Sequence, residues 1–368
     1  MNELRRLYSQ FLDFKIKNLA KDKKFWFGVK EAGFDEKKIK KEVEIYERES
    51  FFNFLKFLKD IFFIENALNL NRKWSTDQWV PYYYLTFLKK KEIISLKKNG
   101  KIKVLKKELL NFFPCSRNEE EIKTIIEKKL KTKLNLEAPS NFLFQTTIKP
   151  VYDQLPISTS STLFLIKKIL DYLPSYQKFL FIGDDDLVSI YLSLVEPKIE
   201  SLVIDIDKEL LGKIEEISEK LRLKIKTKKV DILEKKGLAE KFVGFLISPV
   251  YTFEGVKNFL NFGLNYLSKD GGYVFLNLAD EAIGNRILFL EKFFFEKKLK
   301  IEEVIFGKIY YPWRLTHFED EVMFKRLRKD FSKKTIEKSS LIGSSLWIFN
   351  YLPFELPEPK KQPLYAYL

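Results

Sequence analysis

Phe179-Leu180-Phe181-Ile182-Gly183-Asp184-Asp185-Asp186-Leu187 is the stretch that decides the reading of this chain. Its apolar run has the length and composition of a buried strand, and it stops at one glycine and three consecutive carboxylates. The residues from Leu187 to Leu192 read as a helix. A strand, a tight turn and a helix open the nucleotide site of α/β proteins, because the turn gathers backbone N–H groups and a helix N-terminus. Such turns ordinarily receive an anion. This one carries up to three negative charges, so the group it receives should be a cation.

Around that stretch, strands and helices alternate from about residue 150 onward. Strands are predicted at Lys178–Ile182, Ser201–Ile204, Lys224–Val230, Val243–Ile247, Gly272–Leu278, Ile301–Tyr310 and Ser344–Tyr351, with helices at Asp207–Lys220 and Glu254–Leu267. Alternation of this kind builds parallel βαβ units, and the last two strands can pair as an antiparallel edge. The expected fold is α/β, a Rossmann-like seven-stranded sheet of the methyltransferase type. Residues 1–70 read as helical, with Phe51, Phe52, Phe54, Leu55, Phe57, Leu58, Ile61 and Phe62 forming one buried stripe. A helix at Trp79–Leu88 and two short strands, Glu92–Lys97 and Lys101–Leu105, joined by Asn99-Gly100, follow in the manner of a winged helix. The expected organisation is a helical and winged-helix-like domain over 1–113 and a charged connector over 114–150 with a helix near Glu119–Lys131. A catalytic domain over 151–352 and a Pro-rich tail over 353–368 complete it.

Composition narrows the function. A single cysteine, Cys115, excludes an internal disulfide, and a single histidine, His317, leaves no His/Cys set for zinc. No metal is expected, and no nucleophile motif accompanies His317. No apolar stretch is long and charge-free enough to span a bilayer, and the N-terminus lacks the apolar core of a signal peptide. A cytoplasmic protein without a membrane partner is expected. The abundance of Lys and Glu is in keeping with a thermophilic source. A net charge of +15 raises nucleic acid as a partner. Many lysines, however, fall in helical runs such as Asp35–Glu42 that read as solvated faces, which leaves nucleic acid as the runner-up. A homodimer is compatible with the sequence.

Ligands of such sheets sit beyond the carboxyl ends of the strands. There the sequence places Gly183 with Asp184, Asp185 and Asp186, then Asp205 and Asp207 about 20 residues on, where an acidic residue can accept from ribose hydroxyls. Asp231 follows the third strand, placed to accept from an adenine amino group. Taken alone, Asp207 reads as a helix N-cap; taken together, these acids read as an adenosine site. The carboxylate of S-adenosylmethionine would be repelled by clustered aspartates. Decarboxylated S-adenosylmethionine keeps the ammonium and the sulfonium, and so suits the turn as cosubstrate. A cationic polyamine suits it as the second substrate, with an aspartate to take the proton of its amine.

Tyr152-Asp153-Gln154, the Ser/Thr cluster at Ser158–Thr162, Phe181–Leu187 with Ser189, and Val203-Ile204-Asp205-Ile206-Asp207 together resemble the branched-chain polyamine synthases, the N(4)-bis(aminopropyl)spermidine synthases of thermophilic archaea and bacteria. The resemblance covers roughly residues 150–351. It implies transfer of an aminopropyl group from decarboxylated S-adenosylmethionine to spermidine, with release of methylthioadenosine. It further implies Asp185 as base or amine anchor flanked by Asp184 and Asp186, Asp205 on the ribose, and Gln154 on the cofactor side. Family members usually follow the fourth strand with Asp-Pro-Pro-Glu. This chain has Ser248-Pro249-Val250-Tyr251, with Glu254 further along, so Ser248, Tyr251 and Glu254 are the candidates on the substrate side. Phe253, Tyr310, Tyr311 and Trp313 could line the same pocket, although Tyr310 and Tyr311 also read simply as the end of a strand. Two alternatives stand beside this: an amino-methyltransferase acting on nucleic acid, for which Ser248–Tyr251 is a loose base-holding turn, and a non-catalytic paralogue.

Overall fold

The computed structural model describes residues 1–26, 48–64, 66–70, 79–115, 117–134, 154–234, 237–312 and 340–356, with Glu44, Lys149, Tyr152, Lys329 and Ser332 as isolated positions. Two compact units result, one of Met1–Phe113 with the segment from Leu352, the other of Pro114–Tyr351.

In the first unit, α1 (Asn2–Trp26), α2 (Phe51–Phe63) and α3 (Trp79–Lys90) precede a hairpin of β1 (Ile94–Leu96) and β2 (Ile102–Val104). Gly100, at φ 83°, supplies the left-handed residue of the Asn99-Gly100 turn. The helices share an aromatic core in which the Phe11 and Tyr84 rings lie 4.2 Å apart. Glu49 ties the three together: its carboxylate accepts from Lys15 at 2.5 Å and from the Tyr84 hydroxyl, while its carbonyl accepts from Tyr8. Ser50 next to it caps α2 by accepting the Asn53 N–H.

The second unit holds a seven-stranded sheet in the order β5-β4-β3-β6-β7-β9-β8. The strands are β3 (Lys178–Ile182), β4 (Glu200–Asp205), β5 (Ile225–Lys229), β6 (Gly244–Ile247), β7 (Gly272–Leu278), β8 (Leu299–Pro312) and β9 (Ser340–Tyr351). The first five are parallel, and β9 runs antiparallel to both β7 and β8. This is the α/β sheet expected from the sequence, with β3 and β7 at the expected bounds. The antiparallel pair β8 and β9 is longer than expected and β5 shorter; β8 follows β9 through register shifts, one of them between Ile305 and Ile309 around Gly307 at φ 64°.

The helices of this unit are α4 (Glu119–Leu134), α5 (Thr159–Tyr172), α6 (Val188–Val195), α7 (Lys208–Leu221), α8 (Phe253–Leu264), α9 (Asp280–Ile283) and α10 (Ile287–Glu296). Every residue of α6 is buried, as expected of a helix apolar all round. Its C-terminal carbonyls, which no helical N–H can reach, receive Arg117 (on Val195, 3.2 Å) and Lys129 (on Leu194); Lys133 of α4 does the same for Leu221 at the end of α7. Among the described residues no helix is long and apolar enough to cross a membrane.

Candidate active site

The chain leaves β3 at Gly183 with φ 77°, and the Gly183 N–H donates to the Ile204 carbonyl at 2.9 Å. A Cβ at this glycine would stand 3.9 Å from Asp205 Oδ2, so the turn runs beside the carboxylate that ends β4. The helix expected from Leu187 starts one residue later. Leu187 takes φ 54°, a left-handed conformation that closes the turn before α6 begins.

The three aspartates divide their tasks. Asp184 turns back into the turn of chain that starts α6, its oxygens 3.2 and 3.4 Å from the Ser189 N–H. Burial pushes its carboxyl well above the usual range, against the pull of Ser189. Asp185 is half-buried, and its Oδ2 accepts the Leu155 N–H at 2.8 Å. Asp186 is buried and accepts the Ile157 N–H at 2.7 Å; burial, then the charge of Asp185, push its carboxyl well up. The chain that supplies these N–H groups is fixed at its far end to β8. Ser158 N–H donates to the Tyr310 carbonyl at 2.7 Å, and Tyr310 N–H donates to Ser161 Oγ at 2.9 Å. The Ser/Thr cluster thus caps α5 and pins the end of β8.

At the end of β4, Asp205 Oδ1 accepts the Asp207 N–H at 2.8 Å, and burial raises its carboxyl against that bond. Asp207 caps α7, accepting the Glu209 N–H, and takes bonds from Lys149 Nζ at 2.9 Å and Gln154 Nε2 at 3.1 Å. Burial alone would raise the Asp207 carboxyl, but these donors bring it below its ordinary value. Gln154 Oε1 also accepts the Lys149 N–H at 3.1 Å. Asp207 and Gln154, both expected on the cofactor, hold each other and Lys149. Asp231 accepts the Leu233 N–H at 2.9 Å, and its neighbour Val230 donates to the Asp205 carbonyl at 3.0 Å, which places the end of β5 beside Asp205.

On the other side of β3, Ser248 Oγ accepts from Asn277 Nδ2 at 3.3 Å. Asn277 Nδ2 also donates to the Tyr311 hydroxyl at 2.8 Å, and Tyr311 shares a hydrogen bond of 2.6 Å with the Tyr251 hydroxyl. Asn277 Oδ1 accepts from Ser344. Burial pushes the Tyr311 phenol well above its ordinary value, and the nearby Tyr251 and Asp186 add to it. Tyr311 ends a strand, as read, and its hydroxyl joins Tyr251 to Asn277. Glu254 lies on the exposed first turn of α8, its carboxylate 3.2 Å from Lys257. Asp153, Trp313 and His317 lie outside the described residues.

Asn277 and Ser344 were not singled out in the sequence. The signal for Asn277 is a lone amide inside Gly272–Leu278, a run otherwise apolar and buried throughout. Among the described residues, no group of three or more His, Cys, Asp or Glu side chains is arranged to hold a metal ion.

The chain is similar to known proteins in part of its sequence and in its fold. An uncharacterized protein of Methanocaldococcus jannaschii is 40% identical over 97 residues, 26% of this chain and 25% of that protein, so the match spans about a quarter of that relative. Among solved structures, the C9 mutein of the branched-chain polyamine synthase of Thermus thermophilus, in complex with N4-aminopropylspermidine and 5'-methylthioadenosine, is 17% identical with a TM-score of 0.49, covering 83% of this chain and 91% of that one. The Thermus synthase in the same complex is 16% identical, with a TM-score of 0.48 over 85% and 91%. The model of the branched-chain polyamine synthase A C-terminal domain matches residues 146–338, more than half of the chain, which takes in the acidic turn and β3 to β8 but not Ser344 of β9. The chain belongs to the branched-chain polyamine synthase A C-terminal domain family.

Proposed function

We propose that the protein is an aminopropyltransferase that uses decarboxylated S-adenosylmethionine and a polyamine acceptor of the spermidine type, releasing methylthioadenosine. The observation that carries this reading is the acidic turn after β3, set beside Asp205, within a chain of the polyamine synthase family. Asp205 would accept from the ribose, with Asp231 toward the base. Asp185 is the half-buried aspartate of the turn and the one suited to meet a cation. Asp184 would serve it by capping α6, and Asp186 by holding the chain at Ile157. The acceptor nitrogen attacks the methylene carbon attached to sulfur, a carbon–nitrogen bond forms as the carbon–sulfur bond breaks, and the sulfur keeps the electron pair as a neutral thioether. The nitrogen's proton passes to Asp185. The protein's part is to orient, to exclude water and to accept that proton.

Parallel calorimetric titrations with S-adenosylmethionine, its decarboxylated form and methylthioadenosine test the reading. Binding of the last two in clear preference to the first is expected, because the acidic turn repels a carboxylate. Preference for S-adenosylmethionine would support the methyltransferase alternative, and binding of none of the three would support a non-catalytic paralogue.

A further inference from the structure

Four strands that are far apart in sequence deliver one uncharged cluster to the acceptor side: Ser248 and Tyr251 after β6, Asn277 in β7, Tyr311 in β8 and Ser344 in β9. Its orientation is fixed from within. The Ser344 hydroxyl donates to Asn277 Oδ1, which leaves the NH2 edge of Asn277 to face Tyr311 and Ser248, both of which accept. Tyr311 is therefore held from behind by Asn277 and coupled in front to the half-buried Tyr251. Its backbone is steadied as well, since the neighbouring Tyr310 is bonded through both N–H and carbonyl to Ser161 and Ser158. Asp186 accepts the Ile157 N–H, and the next residue, Ser158, donates its N–H to the Tyr310 carbonyl, so one short link joins the acidic turn to the residue before Tyr311. The cluster thus borders the acidic turn.

The chemistry of the wall matters to an amine. A carboxylate contact favours the ammonium form and works against the loss of the proton that attack requires. A hydroxyl carries no charge, so it favours the ammonium form far less than a carboxylate does and still accepts from the N–H of a free amine. We propose that Tyr311, oriented by Asn277, is a specificity-determining residue of the acceptor side, forming with Tyr251 an uncharged wall beside Asp186 on which the attacking nitrogen rests. The inference rests on the aminopropyltransferase reading and deepens it.

The test is calorimetry of spermidine binding to protein saturated with methylthioadenosine, with methylthioadenosine binding measured alongside. Tyr311→Phe and Tyr251→Phe should each weaken spermidine about tenfold and leave methylthioadenosine within about twofold, the loss of one hydrogen bond. Asn277→Leu should weaken spermidine similarly, and its combination with Tyr311→Phe should cost little more than either alone, because the two act through one contact. Unchanged spermidine affinity in both tyrosine variants would overturn the inference while leaving the aminopropyltransferase reading intact. Parallel loss of methylthioadenosine affinity would overturn it too, by moving Tyr311 to the cofactor side. A wild-type protein that takes up no methylthioadenosine would overturn the underlying reading itself.

Discussion

At the scale of the residue, three adjacent aspartates have three different surroundings. Asp184 caps a helix, Asp186 anchors a loop, and Asp185 is half-buried at the mouth of the turn. Because burial raises the Asp184 carboxyl, the folded chain keeps that proton to higher pH than the unfolded chain does. Ionising it therefore costs stability, a cost absent below the ordinary carboxyl range and present in full above the folded value. Asp184→Asn retains an oxygen for the Ser189 N–H and removes the charge. Its thermal midpoint should equal that of the wild type at about pH 4 and exceed it by a few degrees at about pH 8, in scanning calorimetry. A loss at both pH values would show that the charge itself is needed for capping. Ser248→Asp tests the neighbouring strand end, after β6. A carboxylate beside Asn277 should bind multiply charged amines several-fold more tightly and slow their turnover, because it favours the ammonium form; steady-state kinetics with spermidine would separate the two effects. The placement of the three aspartates and Asp205 at neighbouring strand ends was legible because each follows directly on a short apolar run. The fates of Asp207 and Gln154 were not, since their partner Lys149 reaches Asp207 across 58 positions.

At the scale of the element, β3 and β7 matched their expected bounds because each is an unbroken buried run with a polar or glycine start. The polar cluster is not legible in the sequence for the opposite reason: its members come from four strands, and only the order of the sheet makes them neighbours. Glu254 followed the same logic. It is the nearest carboxylate after Ser248–Tyr251 in the sequence, and on its exposed helix turn it pairs with Lys257 three residues on. In the helical unit, α1, α2 and α3 meet at Glu49, whose side chain is 10% exposed and whose ion-pair partner Lys15 is 6% exposed. Removing one partner of a buried pair leaves the other uncompensated. Glu49→Ala should cost about 3 kcal/mol in urea unfolding, whereas the double change Glu49→Ala with Lys15→Met should recover much of it. No recovery would assign the loss to the Tyr84 bond instead.

At the scale of the whole molecule, a chain of net charge +15 is proposed to bind a cation. The two statements are compatible because charges on solvated helices are screened beyond about 8 Å at physiological ionic strength, while the half-buried Asp185 acts at contact distance. The sign of the site is therefore set by a handful of residues. The most direct test of that claim is to incubate the protein with decarboxylated S-adenosylmethionine and spermidine and to follow methylthioadenosine and polyamine products by chromatography and mass spectrometry. Methylthioadenosine is expected in one-to-one ratio with a spermidine heavier by one aminopropyl group, and both products should be lost in Asp185→Asn, with methylthioadenosine binding retained. Equal product formation in Asp185→Asn, or methyl transfer from S-adenosylmethionine in place of aminopropyl transfer, would contradict that claim.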